Sequence, residues 1–269
     1  MSLEELAVTP RLLVALDFDG TLSPLVDEPM TARMAPEAAA AVQALVSAPD
    51  TTVALVSGRT LDDLRVIAEH DDASTIILAG SHGAQWWHPA GASHGAGSSD
   101  DDAEASDAGA SDDDAGAHAA HRELLAEAEA IAATVGGAWI EPKAFGFAVH
   151  TRRSDAREAE TVHARIADLM AERAPHWRRR TGHALTEYAF RAEGKDSAVA
   201  ALREQTRATG VLFAGDDVTD EDALRSLLPG DVGIRVGDGD TAATVRVRDI
   251  AELSEVLLAL AHRRIAARQ

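Results

Sequence analysis

Two carboxylates end an apolar run in the stretch Val14-Ala15-Leu16-Asp17-Phe18-Asp19-Gly20-Thr21. The apolar residues Leu12–Leu16 are typical of a buried strand. Because side chains two residues apart in an extended chain point to the same side, we expect Asp17 and Asp19 to face one point in space. Two adjacent carboxylates repel each other unless a cation or a proton lies between them. The stretch predicts a divalent-metal and acid–base site at the carboxyl end of a strand, although a strand followed by an Asp-Gly turn would have the same sequence.

The composition of the 269-residue chain excludes several classes of protein. Hydrophobic residues make up 46% of it, enough for a sizeable core, but no apolar run is long enough to predict a membrane span. Residues 1–10 lack the pattern of a signal peptide, and the absence of cysteine excludes disulfides and thiolate chemistry. The formal net charge of -20 argues against nucleic acid or an anionic membrane as a partner. We therefore expect a soluble, cytoplasmic protein. We also expect a monomer, although the composition does not determine the oligomeric state.

Strands and helices alternate at both ends of the chain, which predicts an α/β fold with a parallel sheet. In the first part, strands are predicted at Leu12–Leu16, Thr52–Val56 and Thr75–Ala79, with helices at Pro36–Ser47 and from Thr60 to about His70. The alternation returns later, with strands predicted at Val211–Ala214, Val232–Val236 and Thr244–Val247 and helices at Lys195–Thr209 and Ile250–Arg264.

The middle of the chain differs from both ends. Residues 90–117 are mainly glycine, alanine, serine and acidic residues, which predicts a disordered, solvated loop. An Asp-rich calcium loop is the sharper alternative, but the regular ligand spacing and the closing Glu are missing. Residues 118–190 combine helices, the first from Ala119, with two hairpins, and therefore predict an inserted α+β domain. We expect a core domain at 1–88 and 191–269 and the inserted domain at 118–190.

Polar residues follow several of the predicted elements and would meet at one edge of the sheet. They are Asp17 and Asp19, Ser57, Lys195, and Asp216 with Asp217. This set suits a phosphate monoester, since a carboxylate nucleophile needs a nearby acid and a divalent cation to approach an anionic phosphate. Mg²⁺ is the expected ion because every candidate ligand is a hard oxygen. Lys195 is one of only two lysines among the 25 basic residues, which favours a position where a compact ammonium is needed.

Four motifs resemble those of the haloacid dehalogenase (HAD) superfamily of phosphohydrolases. In chain order they are Asp17-Phe18-Asp19-Gly20-Thr21, Ser57-Gly58-Arg59, Gly194-Lys195-Asp196 and Gly215-Asp216-Asp217. The insertion is similar in position to the superfamily's type-C2 cap, so the resemblance implies a Rossmann-like core with an α+β cap. More narrowly, the chain resembles the trehalose-6-phosphate phosphatases in Gly80-Ser81-His82-Gly83-Ala84, Glu141-Pro142-Lys143 and the stretch Gly215–Asp222. It departs from them at Gln85, where a Glu is usual, and at 189–191, where an Arg-Pro pair is common.

The resemblance implies Mg²⁺-dependent hydrolysis of a small sugar phosphate, trehalose 6-phosphate, to trehalose and phosphate. It implies that Asp17 is the nucleophile, forming an aspartyl-phosphate, and that Asp19 protonates the departing oxygen and then activates water. Lys195 and Ser57 would complete the catalytic set. The implied substrate-binding residues are Gly20, Thr21, Gly58, Arg59 and His82 in the core and Lys143, Arg152 and Glu187 in the cap. The implied metal ligands are Asp17, Asp19, Asp216 and Asp217.

Other interpretations of these residues stay open. The substrate could be another sugar phosphate, such as a sucrose or mannosylglycerate phosphate. A phosphate-accepting receiver domain also gathers acids and a lysine at one sheet edge, but its acceptor Asp follows a middle strand, where this chain has a serine. Taken singly, Ser57-Gly58-Arg59 is a strand-to-helix turn, His82 a buried core residue and Glu221 an acid that favours a helix start. Asp220 could reach a metal ion or anchor Lys195.

Overall fold

The computed structural model describes residues 3–90, 112–143, 145–182, 184–190 and 194–268, without the side chains of residues 112–116. The chain forms two compact units, of which the first comprises Met1–Ser106 with Glu193–Gln269 and the second Asp107–Ala192. The disordered loop predicted at residues 90–117 falls mainly on residues 91–111, which lie outside the described residues. The domain limits given above stay a prediction.

Strands and helices are numbered here in chain order. The strands are β1 (Leu12–Leu16), β2 (Thr51–Val56), β3 (Ile77–Gly80), β4 (Gln85–Trp87), β5 (Trp139–Lys143), β6 (Gly146–His150), β7 (Arg178–Gly182), β8 (Leu185–Ala189), β9 (Gly210–Gly215), β10 (Val232–Val236) and β11 (Val245–Val247). The helices are α1 (Leu3–Ala7), α2 (Pro36–Val46), α3 (Leu61–Ile67), α4 (Asp112–Ala132), α5 (Ala156–Arg173), α6 (Lys195–Thr206), α7 (Asp220–Ser226) and α8 (Ile250–Ala266). None of the helices in the described ranges has the length and apolar character needed to span a bilayer.

A seven-stranded sheet in the order β11-β10-β9-β1-β2-β3-β4 organises the first unit. All neighbouring strands are parallel except β3 and β4, so the predicted α/β fold class is confirmed. The antiparallel edge strand β4 was not predicted from the sequence. Its three half-buried residues are too short a run to show the alternation by which a strand is recognised.

The side chains of β1 divide between two cores, one on each face of the sheet. Val14 and Leu16 belong to the core formed with α2 and α8, whereas Leu13 and Ala15 belong to the core formed with α6. All five residues of β1 are therefore buried. Burial on both faces explains why this strand is apolar throughout instead of alternating between apolar and polar residues.

The register of the central strands brings their carboxyl ends to the same edge of the sheet. Leu16 at the end of β1 pairs with Leu55 of β2 and with Ala214 of β9. The amide of Asp17 then donates to the carbonyl of Ala214 at 2.9 Å. The residues that follow these three strands consequently emerge together, at the edge where parallel α/β sheets bind their ligands.

The second unit is a four-stranded antiparallel sheet in the order β5-β6-β8-β7, whose apolar face packs on α4 and α5. Both predicted hairpins are present, as expected for an α+β insertion. Helix α4 begins at Asp112, so residues 112–117, predicted as loop, form its first turns. Acidic residues favour a helix start through the helix dipole, and alanine has the highest helix propensity, which together account for the difference.

Candidate active site

Lys195 joins two buried carboxylates at the edge of the sheet. Its Nζ donates to Oδ1 of Asp17 at 2.5 Å and to Oδ1 of Asp220 at 2.7 Å. Asp17 follows β1, Lys195 begins α6 and Asp220 begins α7, and no more than 4% of any of the three is exposed. Because a buried charge is costly without a partner, Lys195 is a buried counter-charge and not a solvated residue at a helix start.

Asp220 also shapes the loop Gly215–Thr219, the acidic loop, which connects β9 to α7. Its Oδ2 accepts hydrogen bonds from the amides of Asp216 at 3.1 Å and Asp217 at 2.9 Å. The carboxylate packs so closely on Gly215 that a Cβ there would lie 2.2 Å from its carbon. Asp220 therefore fixes the backbone that carries Asp216 while it anchors the lysine.

The side chains of Asp17, Asp216 and Asp220 form a cluster of three carboxylates, here called the carboxylate group. Each of the three contributes one oxygen that lies within 4.8 Å of the others. Thr21 Oγ1 lies 3.2 Å from Oδ2 of Asp17 and 3.1 Å from Oδ1 of Asp216. Gly20 has a φ of 78°, and a Cβ on it would lie 2.1 Å from Oδ2 of Asp216, so this approach requires glycine. The converging carboxylate oxygens fit a hard divalent cation such as Mg²⁺.

The carboxylate group carries more negative charge than Lys195 balances. Burial raises the pKa of Asp17 to about 7, although the ammonium of Lys195 acts to lower it. Burial likewise raises the pKa values of Asp216 and Asp220 to about 6. For Lys195, burial alone would lower the pKa, but the two adjacent carboxylates raise it above its ordinary value. The excess negative charge is what a divalent cation would neutralise.

Asp19 has a different partner from Asp17. Arg59 binds it through two hydrogen bonds, from Nε to Oδ2 at 2.7 Å and from Nη2 to Oδ1 at 2.6 Å. Strand β1 ends at Leu16, so the regular alternation of side chains does not fix the direction of Asp19. One guanidinium consequently occupies both oxygens of this carboxylate.

Asp217 is exposed, unlike its neighbour Asp216. Its Oδ1 accepts a hydrogen bond from the amide of Val218 at 2.7 Å. Two predicted metal ligands, Asp19 and Asp217, therefore lie outside the carboxylate group, whose third member is Asp220. Side-chain directions in loops depend on tertiary packing, so the spacing of acidic residues along the chain does not tell which of them converge.

The predicted phosphate turn after β2 is supported by the segment that follows β3. Ser57 is 1% exposed, and its Oγ accepts the amide of Arg59 at 3.2 Å. The ring of His82 covers Gly58, where a Cβ would lie 2.7 Å from the imidazole Cε1, and the His82 amide donates to the Ser57 carbonyl at 2.8 Å. Ser81 and His82 have φ values of 48° and 59°, a costly conformation for residues other than glycine. His82 thus contacts the turn directly.

An open cavity of about 410 Å³ in the first unit lies beside the carboxylate group. Its lining includes Gly20, Leu25, Asp216, Arg235 and Arg248. The cavity connects Asp216 to solvent, so an ion or a small anion could enter from this side.

In the second unit, Glu141 connects two basic residues of the antiparallel sheet. Its Oε1 accepts a hydrogen bond from Nζ of Lys143 at 2.6 Å, and its Oε2 lies 2.8 Å from Nε2 of His150. Burial by itself would raise the pKa of Glu141, but the hydrogen bonds from His150 and Lys143 lower it to about 2. The predicted substrate residue Lys143 is therefore held by an ionised neighbour.

The other two predicted cap residues also have identifiable contacts within the second unit. Arg152 lies 5.9 Å from the centre of the Trp139 ring. Glu187 of β8 is buried, and its Oε1 lies 3.7 Å from Nη1 of Arg180, its cross-strand partner on β7. Sequence patterns did not identify Arg180 as a neighbour of Glu187, because cross-strand pairing, which requires the register of the sheet, places the two side by side.

The sequence model of a family described as trehalose-phosphatase matches residues 15–249, nearly the whole chain. The chain belongs to the trehalose-phosphatase family. This membership makes the protein an enzyme, a phosphatase that hydrolyses phosphate monoesters.

Two relatives and one solved structure illustrate the relationship to other trehalose-phosphatases. The probable trehalose-phosphate phosphatase 2 of Oryza sativa subsp. japonica is 30% identical over 271 residues, covering 95% of this chain and 69% of the rice protein. The trehalose-phosphate phosphatase of Mycobacterium marinum is 32% identical over 257 residues, covering 91% of this chain and 60% of that protein. The C-terminal domain of C. albicans trehalose-6-phosphate phosphatase matches with a TM-score of 0.72 at 20% identity, covering 97% of this chain and 95% of that one. The structural match supports the HAD-like fold, and the chain spans only part of both sequence relatives.

Gln85, one of the two departures from the usual trehalose-phosphatase sequence, has a structural role. Its Oε1 accepts hydrogen bonds from the amide of Leu61 at 3.0 Å and from Oγ of Ser81 at 2.9 Å. Leu61 begins α3, so Gln85 satisfies one of the free amides at that helix start. A glutamate carboxylate could accept the same two hydrogen bonds. In the second departure, Arg191 lies outside the described residues.

Proposed function

We propose that this protein hydrolyses trehalose 6-phosphate to trehalose and phosphate, with Mg²⁺ and through an aspartyl-phosphate on Asp17. The observation that carries the proposal is the buried contact of Asp17 with Lys195, beside two further carboxylates. A carboxylate can attack an anionic phosphate only where positive charge offsets their repulsion. Family membership and the names of the rice and M. marinum relatives support the choice of substrate.

In the first step, a carboxylate oxygen of Asp17 would attack the phosphorus while the bond from phosphorus to the sugar oxygen breaks. Lys195 would orient this carboxylate through its hydrogen bond to Oδ1 and would offset negative charge that develops in the transition state. Asp220 would keep the ammonium in place through its own hydrogen bond at 2.7 Å.

The carboxylate group of Asp17, Asp216 and Asp220 would hold the Mg²⁺ ion. When bound, the ion would supply the positive charge that lets the nucleophile approach the phosphate. Thr21 would keep two of the three carboxylates oriented through its hydroxyl. Gly20 would act through the space that it leaves for Asp216, since its amide already donates to the carbonyl of Ser23 at 2.7 Å.

Asp19 would give its proton to the departing sugar oxygen. In the second step it would take a proton from the attacking water, the phosphorus–oxygen bond to Asp17 would break, and phosphate would leave with the acid regenerated. Because Arg59 binds both oxygens of Asp19, the sugar oxygen would have to displace the guanidinium from one of these two oxygens. Arg59, Ser57 and the backbone at Gly58 would then be available for phosphate oxygens, and His82 would support their turn.

The sugar would be bound by polar groups of the second unit. Lys143, Arg152 and Glu187 supply donors and an acceptor for hydroxyl groups, and Glu141 would fix the position of the lysine. The cytoplasmic location, the monomeric state and the limits of the core and cap domains belong to the same proposal. Gel filtration and limited proteolysis would test the last two.

Phosphate release from trehalose 6-phosphate, with and without Mg²⁺, tests the proposal. The Asp17→Asn variant is the control for a contaminating phosphatase, because it removes the nucleophile with almost no change of shape. A parallel panel contains sucrose 6-phosphate, mannosylglycerate phosphate and glucose 6-phosphate. Preference for another member of the panel would reject the substrate, and release unaffected by Asp17→Asn would reject the mechanism.

A further inference from the structure

The acidic loop is held from two sides. Asp220 binds its amides, as described above, and Arg235 of β10 binds a carbonyl on the other side. Nη1 of Arg235 donates to the carbonyl of Asp217 at 2.9 Å, and Nη2 donates to the carbonyl of Asp238 at 3.1 Å. One guanidinium thus ties the acidic loop to the turn that follows β10.

Glu221 holds Arg235 in this position. It is 4% exposed, and its Oε1 lies 3.6 Å from Nη1 of Arg235, whose side chain is 11% exposed. The other oxygen, Oε2, accepts a hydrogen bond from the amide of Ala242 at 2.9 Å. The sequence suggested only that Glu221 favours the start of a helix, an effect that does not require burial. Its contact with Arg235 explains why Glu221 is buried.

We propose that Arg235, oriented by Glu221, is a positioning residue that sets the Mg²⁺ affinity of the carboxylate group. The inference rests on the proposed function, in which Asp216 of the acidic loop is a metal ligand. Mg²⁺ demands near-ideal ligand geometry, so a small shift of Asp216 lowers affinity. Arg235 lies on the wall of the same cavity as Asp216 but bonds only the backbone of the loop next to it.

The sign of the effect separates positioning from simple electrostatics. Arg235 is a cation near three carboxylates, so its charge alone weakens the binding of Mg²⁺, and removing that charge would strengthen it. Loss of the hydrogen bond to Asp217 has the opposite effect, because the acidic loop is released. A lower affinity after removal of Arg235 can therefore come only from position.

The experiment compares Arg235→Met with Arg246→Met. Arg246 of β11 also donates to carbonyls of the turn after β10, those of Gly237 and Gly239, but is exposed and does not bond Asp217. Both variants lose one positive charge and two hydrogen bonds to backbone carbonyls, and Arg235→Met also loses the ion pair with Glu221 that orients Arg235. Mg²⁺ binding is measured by calorimetry on substrate-free protein, and the melting temperature in EDTA verifies the fold.

We expect Arg235→Met to bind Mg²⁺ about tenfold more weakly, as is usual when a contact that orients a metal ligand is lost, and Arg246→Met to bind like the wild type. Excess Mg²⁺ should restore turnover of Arg235→Met, which would not happen if the fold were lost. Equal or tighter binding by Arg235→Met overturns the inference. If that variant does not fold, Arg235→Lys replaces it, because an ammonium retains the charge but cannot reach both carbonyls.

The same measurements separate this inference from the proposed function. Wild-type protein that binds no Mg²⁺ would overturn the metal assignment and this inference with it. A different outcome is that the wild type binds Mg²⁺, that Arg235→Met binds it more weakly, and that the wild type does not hydrolyse trehalose 6-phosphate. This outcome would reject the substrate and support the positioning role.

Discussion

Nζ of Lys195 lies 2.5 Å from Oδ1 of Asp17, and both side chains are almost completely buried. A charged pair in this setting stabilises each partner only while the other is present, since removal of one leaves a buried charge unpaired. In this site the pair includes the proposed nucleophile, so the same contact affects both stability and turnover.

Lys195→Met should lower turnover by at least about 100-fold, the order found when a group that stabilises transition-state charge is removed. It should also lower the melting temperature, because Asp17 and Asp220 lose their shared counter-charge. Arg225→Met is the control, since Arg225 is an exposed base on the neighbouring helix, with carboxylates no closer than 3.8 Å. Turnover of Lys195→Met within tenfold of the control would contradict the role of the lysine.

Asp19→Asn should separate the two chemical steps. With p-nitrophenyl phosphate, whose leaving group needs no proton, the variant should release a burst of about one nitrophenol per enzyme and then stall, because water is not activated. With trehalose 6-phosphate it should release nothing in the same time. Rapid-mixing absorbance measures the burst, and steady turnover of both substrates would remove Asp19 from the acid–base role.

Asp216→Asn should weaken Mg²⁺ binding more than Asp217→Asn. The two residues are adjacent and lose the same charge, but only Asp216 contributes an oxygen to the carboxylate group. The increase in melting temperature caused by saturating Mg²⁺ is a convenient measure, because a ligand that binds only the folded state stabilises it. If Asp217→Asn lost more of the Mg²⁺-dependent increase in melting temperature than Asp216→Asn, the result would favour the ligand set implied by the resemblance.

Gly20→Ala should impair metal binding, whereas Gly237→Ala should not. The two glycines have almost the same φ, 78° and 77°, so both substitutions incur the same backbone strain of about 1–2 kcal/mol. At Gly20 a Cβ would lie 2.1 Å from Oδ2 of Asp216, whereas nothing lies within 4 Å at Gly237. Both variants should melt lower, but only Gly20→Ala should need more Mg²⁺. Equal Mg²⁺ requirements would show that Asp216 adapts.

Glu141 should contribute a pH-dependent stability to the second unit. Its pKa is lowered from 4.5 to about 2, so the folded state favours the carboxylate and the contribution is fully present above about pH 4.5. It is lost as the pH falls through about 2. NMR titration of the side-chain carboxyl carbon should report this pKa. His150→Phe should raise the pKa of Glu141, because phenylalanine donates no hydrogen bond to the carboxylate, while its ring can still stack on Trp139. An unchanged pKa in His150→Phe would exclude His150 as the cause.

The fold could be predicted well from local patterns. The apolar run of β1, the return of strand–helix alternation after the insertion and the two hairpins depend on residues close together in sequence, which determine hydrophobic periodicity and turns. The edge strand β4 and the start of α4 were missed because short or strongly polar segments show little periodicity.

The candidate site was only partly predictable. The positions of Asp17 and Ser57 followed from strand ends that share one edge of the sheet, and Lys195 was recognised as a rare lysine at a predicted helix start. Their contacts did not follow, because the chain after each strand is a loop whose direction depends on what packs against it. Arg59 binds Asp19 from 40 positions away in the sequence, and Lys195 binds Asp17 from 178 positions away. Asp220 joins the carboxylate group through the turn of the acidic loop.

The sequence by itself determined the family, the class of chemistry and the order of elements, because each of these is recorded in short motifs and in the period of apolar residues. Only the tertiary structure decided which of five nearby acids converge, which one is bound by arginine and which is left to solvent. The physical reason is that a carboxylate acts through the charges and hydrogen-bond donors around it. Those are supplied by β1, β2, α6 and the acidic loop, which meet only when the sheet has formed.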